Sequence, residues 1–96
     1  MDSKQRAALK GLASTMPAIY QIGKGELSDN LIRGLDDALT ARELIKISVL
    51  KNCDYSAADL MRVLEIKLKA EAVCAIGNKI VLYRYSDKEG IRHIKL

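Results

Sequence analysis

"QIGKGELSDNLIRGLDDALTARELIKISVL", residues 21–50, is the stretch on which the fold turns. Its last part, ELIKISVL, alternates: Ile45, Ile47 and Val49 fall on one face and Lys46 and Ser48 on the other, a period of two that predicts a half-buried strand. The middle repeats at three and four residues. Leu31, Ile32, Leu35, Ala38 and Leu39 form one helical stripe, which persists through Gly34 although glycine costs about 1 kcal/mol in mid-helix. Ser28 caps this helix, and Asp29 sits in the first turn, where the helix dipole favours a negative charge. On the N-terminal side, AIYQI (18–22) reads as a short strand closed by Gly23. A strand, a glycine loop, a helix and a strand make a crossover unit with the helix packed on a sheet.

Outward from this unit the pattern continues in both directions. Ser3 is the expected cap of a first helix whose Leu9, Leu12, Ala13 and Met16 share one stripe, with Arg6 and Lys10 on another face and Pro17 as the stop. On the C-terminal side NCDY makes a turn, and Ser56 with Asp59 opens a third helix carrying Leu60, Val63, Leu64 and Leu68. AVCAI and KIVLYRY are two further strands, and the Gly77-Asn78 pair between them is a two-residue hairpin signal. The tail SDKEGIRHIKL, residues 86–96, is charged and weakly alternating, either a frayed extension or an extra edge strand. The expectation is one α/β (α+β) domain spanning 1–96, of order αβαβαββ, with a four-stranded mixed sheet packed with three helices.

The totals agree with a folded soluble chain. Its 96 residues suit one domain, and 49% hydrophobic with 29% charged residues argues against disorder. The N-terminus is charged throughout, without the apolar core of a secretory signal, and no apolar run reaches the roughly 18 residues of a membrane helix. The expected location is cytoplasmic, with no membrane partner. Cys53 and Cys74 lack the paired spacing of a zinc site and read as reduced thiols. The formal net charge of +4 is uneven: residues 1–26 carry +2, residues 79–96 carry +3, and the middle carries −1. If the ends meet in space, they make a basic face suited to a polyanion.

Little here resembles catalytic machinery. The chain has one histidine, His93, and the adjacent Asp36 and Asp37 point to different parts of a helix surface, a poor geometry for an acid and base pair. No enzyme, no cofactor, no metal and no small-molecule substrate are expected. The glycine loop leads a strand into a helix N-terminus, an arrangement that holds phosphate, with Lys24 at its tip. It is neither a Walker loop nor a dinucleotide fingerprint, so a plain turn and a phosphate cradle both stay open. Tyr83 and Tyr85 flank Arg84 on the last strand, placing both rings on one face. Exposed, they stack on unpaired bases while Arg84 grips phosphate; buried, they fill a core that lacks Phe and Trp.

Three stretches in order, SKQRAALKGLAS, QIGKGELSDNLIRGLDDALTARELIKISVL and IGNKIVLYR, together resemble the CRM domain family in its stand-alone bacterial, YhbY-like form, over about residues 3–85. The resemblance implies a fold similar to the C-terminal domain of a translation initiation factor. It implies RNA binding without catalysis, with structured RNA of the large ribosomal subunit precursor and the pre-ribosomal particle as partners, and a role in ribosome assembly. The family's G-x-x-G loop would contact RNA through Gly23, Lys24 and Gly25. Glu26 departs from that pattern, placing a carboxylate where the family has glycine. Around the loop, Arg6, Lys10, Lys79 and Arg84 are the expected phosphate contacts. The alternative function is a protein-protein adaptor docking on a ribosomal protein or assembly factor; a mononucleotide site in the glycine loop is a third reading.

Overall fold

The computed structural model describes residues 1–24 and 27–96. Seven elements follow in the expected order: α1 (Ser3–Ala13), β1 (Tyr20–Ile22), α2 (Asp29–Arg42), β2 (Leu44–Val49), α3 (Ala57–Leu68), β3 (Glu71–Ile76) and β4 (Lys79–Tyr83). The four strands form one mixed sheet in the order β1-β2-β4-β3. β1 runs parallel to β2, while β4 runs antiparallel to both β2 and β3.

The sheet separates two cores. On one side Ile45, Ile47, Ile80 and Leu82 meet Leu35 and Leu39 of α2 and Leu60, Leu64 and Leu68 of α3. On the other, Leu44, Val81 and Tyr83 meet Leu9 and Ala13 of α1, with Met1, Met16 and Ile94 packed around them. β2 is therefore covered on both faces rather than half-buried, since α1 and the tail close the side on which polar residues alternate. Ser48 is buried there and Lys46 partly so.

Local differences from the sequence expectations have physical causes. Asp2, not Ser3, caps α1: its side chain accepts from Gln5 N at 2.8 Å while Gln5 Oε1 accepts from Asp2 N at 3.2 Å, a reciprocal capping box. α1 ends at Ala13, four residues before Pro17, and its end is held by the Lys46 ammonium, which donates to the carbonyls of Ala13 and Met16 at 3.1 and 3.2 Å, while Ala13 O also accepts from Met16 N at 3.1 Å. Leu12 and Val63, expected on buried stripes, are exposed. Ser28 and Ser56 cap α2 and α3 as expected. In the hairpin, Gly77 has φ +57° while Asn78 does not have positive φ, the pattern of a II′ turn with glycine first.

Gly34 lies where α2 crosses Tyr20. A Cβ on Gly34 would stand 2.9 Å from the Tyr20 hydroxyl and 3.3 Å from its ring carbons. Helix propensity favours alanine over glycine by about 1 kcal/mol, but the clash reverses this, so Gly34→Ala lowers stability by about 1 kcal/mol. In a Tyr20→Phe background, which removes the closest atom, the loss shrinks or becomes a gain. Urea denaturation of the four proteins of this cycle measures it.

Candidate nucleic-acid interface

Parallel β1 and β2 end together, and the antiparallel β4 starts at the same end, so three loops converge there. Gly23 follows β1; a Cβ on it would touch Leu50 and Asn52, residues just after β2, at 3.4 to 3.5 Å. Leu50 N donates to Ile22 O at 2.8 Å, and Val49 N donates to Asn78 O at 2.7 Å, tying the β2 end to both the glycine loop and the hairpin. Lys24, Lys51 and Lys79 stand at the starts and ends of these segments, with Lys24 and Lys51 exposed.

On the α1 side, one row crosses the sheet at this end: Gln21 pairs with Ser48, Ser48 with Lys79, and Lys79 with Ile76. Lys79 Nζ donates to Ser48 Oγ at 2.8 Å, and Lys10 of α1 lies across a shared cavity from Lys46 and Lys79. Three lysines thus line one depression. Arg6 is exposed on α1 one turn before Lys10, toward the far end, where the N-terminal ammonium pairs with Glu71 at 3.3 Å. Gly25 and Glu26 fall outside the described residues, so the cradle expected over Gly23–Gly25 and the departure at Glu26 are described only up to Lys24.

Arg84 stands apart from this group. It follows β4, at the opposite end of the sheet, and its guanidinium is spent within the chain: on Asp36 Oδ1 at 2.7 Å, Leu68 O at 2.8 Å, Asp36 O at 2.9 Å and Thr40 Oγ1 at 3.0 Å. It joins α2 to α3 instead of presenting donors to a phosphate. The flanking tyrosines diverge too: Tyr83 is buried in the α1-side core, whereas Tyr85 is 65% exposed and stacks on His93 with ring centroids 4.9 Å apart.

The tail is neither frayed nor a strand. It folds back onto Glu43, whose side chain is fully buried at the end of α2. Ser86 N donates to Glu43 Oε2 at 2.7 Å, Ile94 N donates to Oε1 at 2.9 Å, and His93 Nδ1 lies 2.9 Å from Oε2. Burial opposes the charge on Glu43, but these donors outweigh it and hold the carboxyl below its usual range.

The comparison with protein families decides the lineage, since the model of the CRS1/YhbY (CRM) domain matches residues 1–84. The chain belongs to the CRM domain family. Among CRM relatives, the probable RNA-binding protein YqeI of Bacillus subtilis is 42% identical over 88 residues, covering 92% of each chain. An RNA-binding protein of Haemophilus influenzae is 29% identical over 92 residues, 96% of this chain and 93% of that one. The solution structure of a hypothetical Staphylococcus aureus protein, proposed to bind RNA, superposes with a TM-score of 0.78 at 39% identity over 93% of each chain. The three helices and four-stranded mixed sheet are thus the CRM fold, as the sequence resemblance implied.

Within this CRM domain the expected site residues divide. Gly23, Lys24, Lys10 and Lys79 gather at one end of the sheet, Arg6 lies a helical turn away, and Arg84 is on the far side. Lys46 and Lys51 belong to the group and were not singled out in the sequence. Lys46 did carry a signal, since alternation in β2 set it beside Ser48, but only the strand order brings Lys79 and Lys10 to them.

Proposed function

We infer that this chain is a non-catalytic, cytoplasmic RNA-binding protein that associates with large-subunit ribosomal RNA precursors and assists ribosome assembly. The observation that carries the reading is the convergence of Lys10, Lys46 and Lys79 beside the Gly23-Lys24 corner, in a chain whose relatives are named RNA-binding proteins. Lysines placed by a rigid sheet neutralise phosphates and release counterions, and the shape of the RNA then selects which phosphates come within reach. Lys24 at the loop tip and Lys10 on the helix bracket the contact, and Arg84 takes no part in it.

The test is binding to a large-subunit ribosomal RNA transcript and to an unrelated structured RNA of equal length, across a salt series. Affinity for the ribosomal transcript falls steeply with salt, with a log-log slope equivalent to about three to five phosphate contacts. The triple substitution Lys10→Ala, Lys24→Ala, Lys79→Ala reduces that slope by about two contacts. Equal slopes in the two proteins would remove this face from the interface, and equal affinity for both RNAs would remove the ribosomal assignment.

The adaptor reading keeps one supporting observation: Val63 and Ile66, the latter 78% exposed, present an apolar strip on the outside of α3. Capture of a ribosomal protein that survives nuclease and high salt would favour it.

A further inference from the structure

We propose that the cavity between the C-terminal turn of α1 and the sheet receives a single unpaired nucleobase of the bound RNA, with Lys10, Lys46 and Lys79 meeting its polar edge and phosphate. The proposal rests on the RNA-binding reading and adds a base-reading pocket to a face so far described only by charge.

The cavity has a volume of about 190 Å³, room for one base. Its walls are mostly hydrocarbon, from Ala13, Cys74, Ile76, Val81 and the lysine stems, and the charged groups that border it are all cationic. Apolar walls do not hold a bare phosphate, and ammonium groups do not favour a purely aliphatic guest. A nucleotide satisfies both, placing a flat ring against the walls and an anion and ring carbonyls at the amines.

The proton count supports this. Each lysine ammonium has three N–H donors. Lys46 uses two on Ala13 O and Met16 O, and Lys79 uses one on Ser48 Oγ. Donors therefore remain on Lys46 and Lys79, and their positions are fixed by the bonds already made. Ser14, the remaining polar residue of the lining, gives its hydroxyl proton to Gly11 O at 2.7 Å. The unused donors of Lys46 and Lys79 suit the carbonyl oxygens of uracil or guanine better than adenine, whose acceptor N7 sits beside an exocyclic amine that ammonium groups repel.

Cys74 lines the cavity, whereas Cys53 packs against the α2/α3 core on the other side of the sheet. The two thiols therefore report on different faces. The experiment uses RNA hairpins of one sequence that carry an unpaired uridine, an unpaired adenosine or an abasic residue at the same position. The uridine hairpin binds about tenfold more tightly than the abasic one, with adenosine between them. Saturating uridine hairpin slows alkylation of Cys74 by iodoacetamide severalfold and leaves Cys53 unchanged, as read by peptide mass spectrometry. Cys74→Leu, which fills the cavity, brings the uridine-to-abasic ratio close to one. Equal affinity for uridine and abasic hairpins, or unaltered Cys74 alkylation in the saturated complex, overturns the pocket while leaving the electrostatic RNA reading intact. Failure of all three hairpins and of the ribosomal transcript to bind overturns both.

Discussion

Replacing Glu43 by alanine lowers the stability of the fold by about 3 kcal/mol, because two backbone donors, Ser86 N and Ile94 N, and the His93 ring lose their shared acceptor. The loss concentrates in the tail and in the α1-side core, where Ile94 packs. Glu43 also carries a φ of +67°, a region that side chains rarely adopt. Glu43→Gly relieves that strain while losing the same bonds, so it is less damaging than Glu43→Ala by about 1 kcal/mol, the reverse of the usual helix ranking. Urea titration at pH 7 measures both variants.

The same carboxylate sets a pH dependence whose sign follows from its lowered pKa. The unfolded chain protonates Glu43 at a higher pH than the folded chain does. Its contribution is therefore complete above the usual carboxylate range and disappears as pH falls through the folded value. The difference between wild type and Glu43→Gln is largest at neutral pH and shrinks toward pH 3. A difference independent of pH would mean that the bonds to Ser86, His93 and Ile94 do not favour the ionised form.

Arg84→Ala costs about 2 to 3 kcal/mol, and Arg84→Lys recovers only a small part of it. The ion pair with Asp36 contributes little, since Asp36 is half exposed; the loss comes from the carbonyls of Leu68 and Asp36 and the hydroxyl of Thr40. A lysine has one nitrogen and does not reach acceptors on two helices in the guanidinium geometry. The salt dependence of RNA binding is expected to be unchanged in Arg84→Gln, which removes the charge, at a temperature where it is folded. A slope lowered by about one contact would return Arg84 to the interface.

These two residues also mark where sequence reading ends. The element order was legible because the helices and β2 show their own periods, as in Leu35–Leu39 and Ile45–Ile47–Val49, and because Ser28 and Ser56 occupy their caps. The hairpin was legible in Gly77-Asn78. Glu43 carries no such signal: its partners lie 43 to 51 residues away, and two of the three, Ser86 and Ile94, contact it through backbone amides, which every residue but proline has. Arg84 looked like a phosphate ligand because alternation beyond Lys79–Tyr83 placed it opposite the tyrosines, while its real partners depend on how α2 and α3 pack. Of the candidate site, the glycine corner and Lys24 were legible locally; the grouping of Lys10, Lys46 and Lys79 needed the strand order.

The strand order β1-β2-β4-β3 also governs when this protein can acquire its fold during synthesis. The strand made last occupies an interior place, between β2 and β3, and forms the pairings Leu44 to Tyr83 and Ile47 to Ile80 across more than thirty residues. A nascent chain that has reached Ile76 holds β1 and β2, which pair with each other, and β3 with no strand to join it to them, so one side of β2 is an open hydrogen-bonding edge. The cooperative step waits for residues 79–83 to leave the ribosome. Long-range closure of this kind is slow relative to helix formation, and the unjoined strands are the point at which the emerging polypeptide is exposed to misassembly.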